Sequence, residues 1–264
     1  METAKSLGKF FWVAAGIAIV VFAVLWAFGW RPTSVGIEAG PLSVELSPAT
    51  PLPTARNSNS AEEIQVSPTP VLTEKYQTLS LEPYSELAAP ETNLGLAPGQ
   101  YSLSDVPFSV GWKVSTQCSH IPERPQSVLI ETSISNPRMA YFLLQAGFGW
   151  SKFRDKKIGE IVFHFNDGST SVTSLSLGYN IRDWARDDDN SVVTLAFSPD
   201  LVSVWSGTAP DGRQGGIDML AVRIPPDKTS LSLSGIEIVD LSQSTVGDLD
   251  PCIHLLAITV KYVE

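Results

Sequence analysis

The segment from Phe10 to Trp30 contains no charged residue and reads FFWVAAGIAIVVFAVLWAFGW. A helix of roughly 20 apolar residues is long enough to cross the hydrocarbon core of a bilayer. Tryptophans stand near both ends of this segment, where indole rings commonly settle at the membrane interfaces. We therefore predict an uncleaved signal-anchor, a transmembrane helix at residues 10–30. The alternative is a cleaved signal peptide, whose apolar region is only about 7–15 residues long.

Positive charge lies mainly on the N-terminal side of this helix. Lys5 and Lys9 precede it, and Arg31 alone follows closely before acidic residues begin. The positive-inside rule then keeps residues 1–9 in the cytoplasm. The sequence predicts a single-pass protein of the cell membrane with an extracytoplasmic C-terminal domain. The opposite orientation would leave an acidic, Pro-rich segment and two cysteines in the cytosol.

Residues 31–93 have a different composition. Stretches such as SPATPLPTARNSNSAEE combine Pro, Ser, Thr and Glu with isolated apolar residues that show no sustained period. Such a segment buries too little apolar surface to offset its conformational entropy. Repeated prolines favour an extended polyproline II conformation. We predict a disordered stalk here.

Residues 94–264 show the pattern of an all-β domain. Short segments rich in β-branched and aromatic residues are separated by polar or Gly/Pro breaks, and none carries an apolar stripe of helix length. In Asn166-Asp167-Gly168, the Asp-Gly step between alternating segments predicts a hairpin turn. The fold class is an antiparallel β-sandwich, or jelly roll. The predicted strands are residues 127–133, 139–147, 160–165, 191–197, 201–207, 218–224, 235–241 and 255–263.

Several short motifs occur in this domain in a recurrent order. They are Val106-Pro107-Phe108, Asp167-Gly168, Gly178-Tyr179-Asn180-Ile181, Asp183-Trp184, Trp205-Ser206-Gly207, Pro226-Asp227-Lys228 and Ala257-Ile258-Thr259. With these motifs the domain resembles the galactose-binding-domain-like β-sandwich modules attached to bacterial glycoside hydrolases and surface proteins. The resemblance implies a jelly roll that binds carbohydrate through loops at one edge. Ile224-Pro225-Pro226 and Phe165-Asn166 depart from the usual pattern, which weakens any transfer of ligand specificity.

The segment YNIRDWARDDDN, residues 179–190, is the most polar and aromatic part of the domain. Its aromatic rings offer faces for a sugar, and its polar side chains can hydrogen-bond hydroxyl groups, as small-ligand sites require. In the alternative interpretation, the tryptophan anchors the core and the Asn and Asp side chains cap turns. A second tryptophan, flanked by Gly and Ser, is a further surface candidate. The candidate ligand-binding residues are Tyr179, Asn180, Arg182, Asp183, Trp184 and Trp150.

Cys118 and Cys252 are the only two cysteines. Outside the cytoplasm two cysteines usually pair, and a disulfide closing so long a loop restricts the unfolded chain considerably. We predict this disulfide. Two alternatives stay open: free thiols, or a zinc site built from Cys118-Ser119-His120 and Cys252-Ile253-His254.

Charge and missing motifs argue against several functions. The net charge of −10 provides no electrostatic footprint for nucleic acid. Without a Gly-x-Ser-x-Gly elbow, a His-Glu-x-x-His pair or a phosphate-binding loop, we predict no enzyme, catalytic residue or cofactor. The alternative that stays open is an extracytoplasmic hydrolase, because a pair of acid/base carboxylates is assembled in space rather than in sequence. Asp187-Asp188-Asp189 lacks the alternating ligands and glycine of a calcium loop, so we predict a solvated acidic turn and no metal. The expected partners are the membrane and either a carbohydrate or an envelope protein.

Overall fold

The computed structural model describes residues 72–86, 95–192, 198–246 and 250–264, all within the unit Val66–Glu264. The predicted cytoplasmic N-terminus, the transmembrane helix at residues 10–30 and most of the predicted stalk lie outside these ranges. Among the described residues, no helix is long and apolar enough to cross a membrane.

Strands dominate the described part of the chain. In order they are β1 (Glu74–Leu79), β2 (Gly99–Leu103), β3 (Val106–Val110), β4 (Val114–Ser115), β5 (Ser127–Ser135), β6 (Pro137–Gly147), β7 (Lys157–Phe165), β8 (Thr170–Ser176), β9 (Leu201–Thr208), β10 (Gln214–Arg223), β11 (Ser232–Asp240) and β12 (Cys252–Val263). The helical elements are all short: Glu82–Tyr84, Ser151–Phe153 and Pro226–Lys228 are 3-10 helices, and Ser242–Val246 is α-helical.

The strands form two large antiparallel sheets and a hairpin. Sheet one has the order β1-β12-β6-β10-β9, and β4 pairs with β12 beside this path. Sheet two has the order β5-β11-β7-β8, while β2 and β3 form a separate two-stranded sheet. All of these pairings are antiparallel. The architecture is therefore all-β, as predicted, and fits a β-sandwich.

The main core lies between the two large sheets. In β7, residues KIGEIVFHF alternate over most of their length between buried and partly exposed positions, so one face of the strand is apolar. Phe163 of β7 meets Phe142 of β6 edge to face, with ring centroids 6.2 Å apart, a favourable arrangement for two aromatic rings. Both side chains are fully buried.

A second core covers the opposite face of sheet one. The β2–β3 hairpin places Phe108 against this face, in a cluster with Leu143 of β6 and Leu256 of β12. Strands β6 and β12 are thus buried on both faces. This explains why their sequences are nearly continuous apolar segments rather than alternating ones.

The predicted strands are confirmed wherever the structure describes them, and the exception, residues 191–197, falls mostly on undescribed residues. The predicted hairpin is also confirmed, since β7 and β8 pair in antiparallel fashion. Its turn places Gly168 at a φ of 81°, a left-handed conformation that glycine adopts without steric cost. The Gly168 N–H donates to the Phe165 carbonyl at 3.0 Å.

The predicted boundary between stalk and domain at residue 94 needs correction. Residues Glu74–Leu79, assigned to the stalk, form β1 and pair with β12 from Glu74↔Val263 to Leu79↔Ile258. Leu79 and Leu81 are buried in the main core. The sandwich therefore begins at least 20 residues earlier than predicted. The sequence shows only isolated apolar residues here, and Leu79, one of them, is buried in the core.

Two leucines of the predicted stalk segment test this correction. Leu79 is 6% exposed and Leu72 is 60% exposed. We expect Leu79→Ala to lower the free energy of unfolding by about 2–5 kcal/mol, because it leaves a cavity in the core. Leu72→Ala is expected to change it by less than about 0.5 kcal/mol. Urea unfolding of both variants checks this, and equal small effects would return residues 72–81 to the stalk.

Candidate functional site

A cleft of about 450 Å³ opens at the end of sheet one where β6 ends and β12 begins. This volume lies within the range of small-molecule sites, roughly 300–1,000 Å³. Several separate chain segments contribute to it, and three of its side chains are aromatic. The lining residues are Lys113, Ser115, Ile121, Arg124, Gly147, Phe148, Trp150, Asp183, Trp184, Asp188, Ser191, Arg213 and His254.

The floor of the cleft is built from three neighbouring strands. His254 of β12 lies opposite Ser115 of β4 on one side and beside β6 on the other. Its Nδ1 lies 2.8 Å from the Ser115 hydroxyl. At Gly147, the last residue of β6, an added Cβ would lie 2.5 Å from His254 Nε2 and 3.0 Å from Cys252 Sγ. Glycine is therefore required at this position if the imidazole is to keep its place.

His254 is neutral in the folded protein. Burial, with a smaller contribution from the positive charges of Lys113 and Arg124, lowers its pKa to about 3. A neutral imidazole can donate through one nitrogen and accept through the other. The floor therefore presents a polar group without presenting a charge.

The loop after β6 has a strained backbone. Phe148 adopts a φ of 57°, a left-handed conformation that is unusual for a bulky side chain. Its ring stacks on His120 with centroids 3.9 Å apart, and it meets Trp150 at a tilt with centroids 6.3 Å apart. Such outliers persist only where the surroundings hold them in place, and they cluster at ligand sites. Phe148 and Trp150 of this loop both line the cleft.

Asp183 joins two loops at the wall of the cleft. Its Oδ2 accepts from the Gly149 N–H at 2.5 Å, and its Oδ1 accepts from the Ala185 N–H at 2.9 Å. Burial raises the pKa of this carboxyl, while the two backbone N–H groups oppose that shift. Because both oxygens are engaged by backbone groups, Asp183 holds the segment 183–185 against the strained loop.

A buried ion-pair cluster fixes the same segment from behind. Asp218 of β10 is 1% exposed and accepts from Arg182 through Nε at 2.8 Å and Nη2 at 2.7 Å. Arg186 Nη2 also donates to Asp218, at 3.0 Å, and to Gln145 Oε1, at 3.1 Å. Burial lowers the pKa of Arg186 to about 10 despite the attraction of Asp218. One carboxylate thus anchors both ends of residues 182–186 to sheet one.

The structure places three of the six predicted site residues, Trp150, Asp183 and Trp184, in the lining of the cleft. Tyr179 is exposed, but it lies outside that lining. Asn180 and Arg182 also lie outside that lining and have partners within the fold. The Asn180 side chain is engaged by the backbone of Ser176 and Ser174, both at 2.8 Å, and Arg182 is paired with Asp218. Each of these two side chains therefore has hydrogen-bond partners inside the fold, as buried polar groups usually do.

Sequence reasoning missed most of the lining, including Lys113, Arg124, Phe148, Arg213 and His254. These residues come from separate loops and strands and have no common spacing. One local signal was available for Phe148, because an aromatic residue between Gly147 and Gly149 marks an irregular strand end. The others become neighbours only through strand pairing.

The predicted disulfide also needs correction, because Cys118 and Cys252 are both buried free thiols in the structure. Cys252 Sγ lies 3.9 Å from the Gly147 carbonyl oxygen and 3.7 Å from His254 Nε2. The neighbouring Cys118 thiol, together with burial, raises the pKa of Cys252 well above its usual range. Cys252 is therefore protonated at neutral pH, unlike a reactive thiolate.

The acidic segment after Trp184 forms turns. Asp187 Oδ2 accepts from the Gln214 N–H at 2.9 Å, and Asp188 Oδ1 accepts from the Asn190 N–H at 2.9 Å. In the ranges that the structure describes, no group of three or more His, Cys, Asp or Glu side chains is arranged to hold a metal ion.

The ion-pair cluster can be tested against an exposed pair of the same kind. We expect Asp218→Asn to lower the free energy of unfolding by about 3–5 kcal/mol, because it leaves two arginines without their buried carboxylate. Asp211 pairs with Arg213 at 2.6 Å on the surface, so Asp211→Asn is the matched control with little expected effect. Denaturant unfolding measures both. Equal stabilities of the two variants would contradict the anchoring role of Asp218.

His254 makes stability depend on pH. The unfolded chain binds a proton at this residue near pH 6.5, whereas the folded protein does so only near pH 3. Stability is therefore lost as the pH falls through this window, by about 1.4 kcal/mol per pH unit from this residue. We expect His254→Gln to flatten the decline between pH 6 and pH 4.

His164→Gln is the control, since His164 is partly exposed and its Nε2 lies 3.1 Å from Glu237 Oε2. Urea unfolding at several pH values gives the slopes. Asp183 and Asp240, whose raised pKa values act in the opposite direction, are present in both variants, so the difference between the curves isolates His254. Parallel curves would show that the imidazole is not buried in its neutral form.

Comparison of the chain with protein families, curated proteins and solved structures finds no match. The structure itself shows antiparallel sheets that fit a β-sandwich, with an aromatic and polar cleft at one end of sheet one. The resemblance to galactose-binding-domain-like modules stays a prediction.

Proposed function

We propose that the sandwich is a galactose-binding-domain-like module that binds carbohydrate reversibly in the cleft. One observation carries this proposal: three aromatic side chains and several hydrogen-bonding groups converge on a single cleft of about 450 Å³. Apolar surface with a few placed polar groups is the usual composition of a small-ligand site. The motifs of residues 94–264 add support, because their resemblance implies the same class of ligand.

Trp150 is the best stacking surface for a sugar ring. The Arg213 guanidinium lies over the Trp184 ring, 4.2 Å from the centroid, and His120 covers one face of Phe148. Trp150 meets its aromatic neighbour only at a tilt. A sugar stacked on Trp150 would lie beside Ser191, whose backbone bridges to Trp150, and above the polar floor formed by His254 and Ser115.

Membrane anchorage completes the proposal. The apolar segment at residues 10–30 would hold the protein in the membrane with residues 1–9 in the cytoplasm. The Pro-rich residues that follow would act as a spacer, and the sandwich would be displayed outside the cytoplasm. A tether of this kind suits a module that captures polymers at the cell surface. Catalysis is not part of this proposal.

An alternative function is a protein-interaction domain of the cell envelope without a small ligand. The observation that favours it lies on the outer face of sheet two, where Leu129, Glu237, Val162 and Val172 form one row across four strands. Leu129 is 44% exposed and Val172 is 51% exposed. Exposed apolar side chains grouped in this way occur at protein interfaces.

Glycan binding tests the proposal and distinguishes it from the alternative. The full chain, purified in detergent, would be screened on a broad glycan and polysaccharide array. We expect saturable binding that Trp150→Ala weakens at least tenfold, about 1.4 kcal/mol or more, because it removes the stacking surface. Tyr179→Ala, which removes an exposed aromatic residue outside the cleft, should bind as the parent does.

Trp150 also packs against the main core, so Trp150→Phe serves as a second variant that keeps an aromatic face and should retain partial binding. Circular dichroism verifies the fold of each variant. A folded chain that binds no glycan would overturn the carbohydrate proposal and leave the interaction domain as the better hypothesis.

A further inference from the structure

Positive side chains converge on the cleft of an otherwise acidic protein. The chain has a net charge of −10, yet Lys113, Arg124 and Arg213 all line this one cleft. They come from three separate parts of the sequence, and the fold brings them together. Charges of one sign around a concave site raise the local concentration of ligands of the opposite sign.

The acidic residues of the cleft are committed to the backbone. Both oxygens of Asp183 accept backbone N–H groups, and Asp188 accepts the Asn190 N–H at 2.9 Å. The lining therefore holds three basic side chains, Lys113, Arg124 and Arg213, and two acidic ones. Behind the wall, Asp218 is shared by two arginines, so this cluster adds a further net positive charge.

Arg124 contributes a guanidinium group to the lining of the cleft. Its Nη1 pairs with Glu86, while its Nε is buried and has no acceptor among the described residues. Arginine binds carboxylates and similar oxyanions well because its donors form a planar fork.

The same positive charges act on His254 in the floor of the cleft. Lys113 and Arg124 both lower the pKa of His254, beyond the larger effect of burial. Their positive potential therefore reaches the inside of the cleft, where a ligand would lie against the imidazole.

We infer that the carbohydrate bound in this cleft is acidic, a sugar that carries a carboxylate or a sulfate group. Trp150 supports the ring, and Arg124, with Lys113 and Arg213, binds the anionic substituent. This inference rests on the proposed function, because it names the class of sugar that the same cleft takes.

Matched pairs of glycans test the inference. The full chain in detergent is applied to an array in which each uronic acid oligosaccharide stands beside its methyl ester and each sulfated oligosaccharide beside its desulfated form. We expect at least one acidic member to bind tenfold or more tightly than its neutral twin. The two kinds of pair distinguish a carboxylate from a sulfate. Raising NaCl from 50 to 500 mM should weaken that binding, since salt screens exposed charges.

Two variants separate binding from structure. Arg124→Gln removes the cation, and we expect it to weaken binding of the acidic glycan about tenfold or more while the neutral twin is unaffected. Glu86→Gln breaks the same ion pair but keeps the cation, so it should bind at least as tightly as the parent chain. Arg223→Gln, at the opposite end of β10 from the cleft, controls for net charge and should change the affinity less than twofold.

Three results would overturn the inference. Neutral and acidic twins that bind equally, with sensitivity to Trp150→Ala, would leave the proposed function standing and remove the acidic ligand. Acidic binding that Arg223→Gln weakens as much as Arg124→Gln would show nonspecific charge attraction. A folded chain that binds no glycan would end both proposals together.

Discussion

The pairing of β6 with β12 at the centre of sheet one is the constraint on which the rest of the domain depends. These two strands are in register from Cys252↔Gly147 to Tyr262↔Pro137. One face of the sheet packs on sheet two, and the other packs beneath the β2–β3 hairpin. The β2–β3 hairpin contacts Leu143 and Leu256 on this outer face. Further along β6 and β12, the same face reaches Gly147 and His254. The cleft lies there, and its floor is therefore formed by the same strands that form the core.

The walls of the cleft depend on buried polar contacts. Asp183 joins two loops through backbone N–H groups, and Asp218 draws Arg182 and Arg186 onto sheet one. Buried ion pairs add little net stability, because desolvation offsets much of their attraction, but losing one partner is costly. In this domain these contacts fix the position of the segment 182–186. Trp184 and its neighbours keep one arrangement, which reduces the conformational entropy that a ligand would have to remove.

Local patterns explain which elements the sequence revealed. Strands such as β7 alternate visibly, and the Asp-Gly step marks the turn to β8. The edge strand β1 was missed because, in EKYQTL, only Leu79 is buried, so it carries no apolar alternation. Three of the six candidate residues lie in the lining of the cleft, and two of them, Asp183 and Trp184, come from the aromatic and acidic segment 179–190. Asn180 and Arg182 satisfy partners inside the fold, and a pattern in one segment cannot show where those partners lie.

By itself, the sequence determined the all-β class, the positions of most strands and the turn at Gly168, because side-chain alternation and glycine conformation act over a few residues. Only the tertiary structure decided which polar groups meet. Lys113, Arg124, Arg213 and His254 are far apart in the chain and share one cleft because long-range pairing places their strands and loops at the same end of sheet one. It also places Cys118 and Cys252 as neighbouring buried thiols that are not bonded to each other, since a disulfide needs its sulfurs at bonding distance and not merely two cysteines.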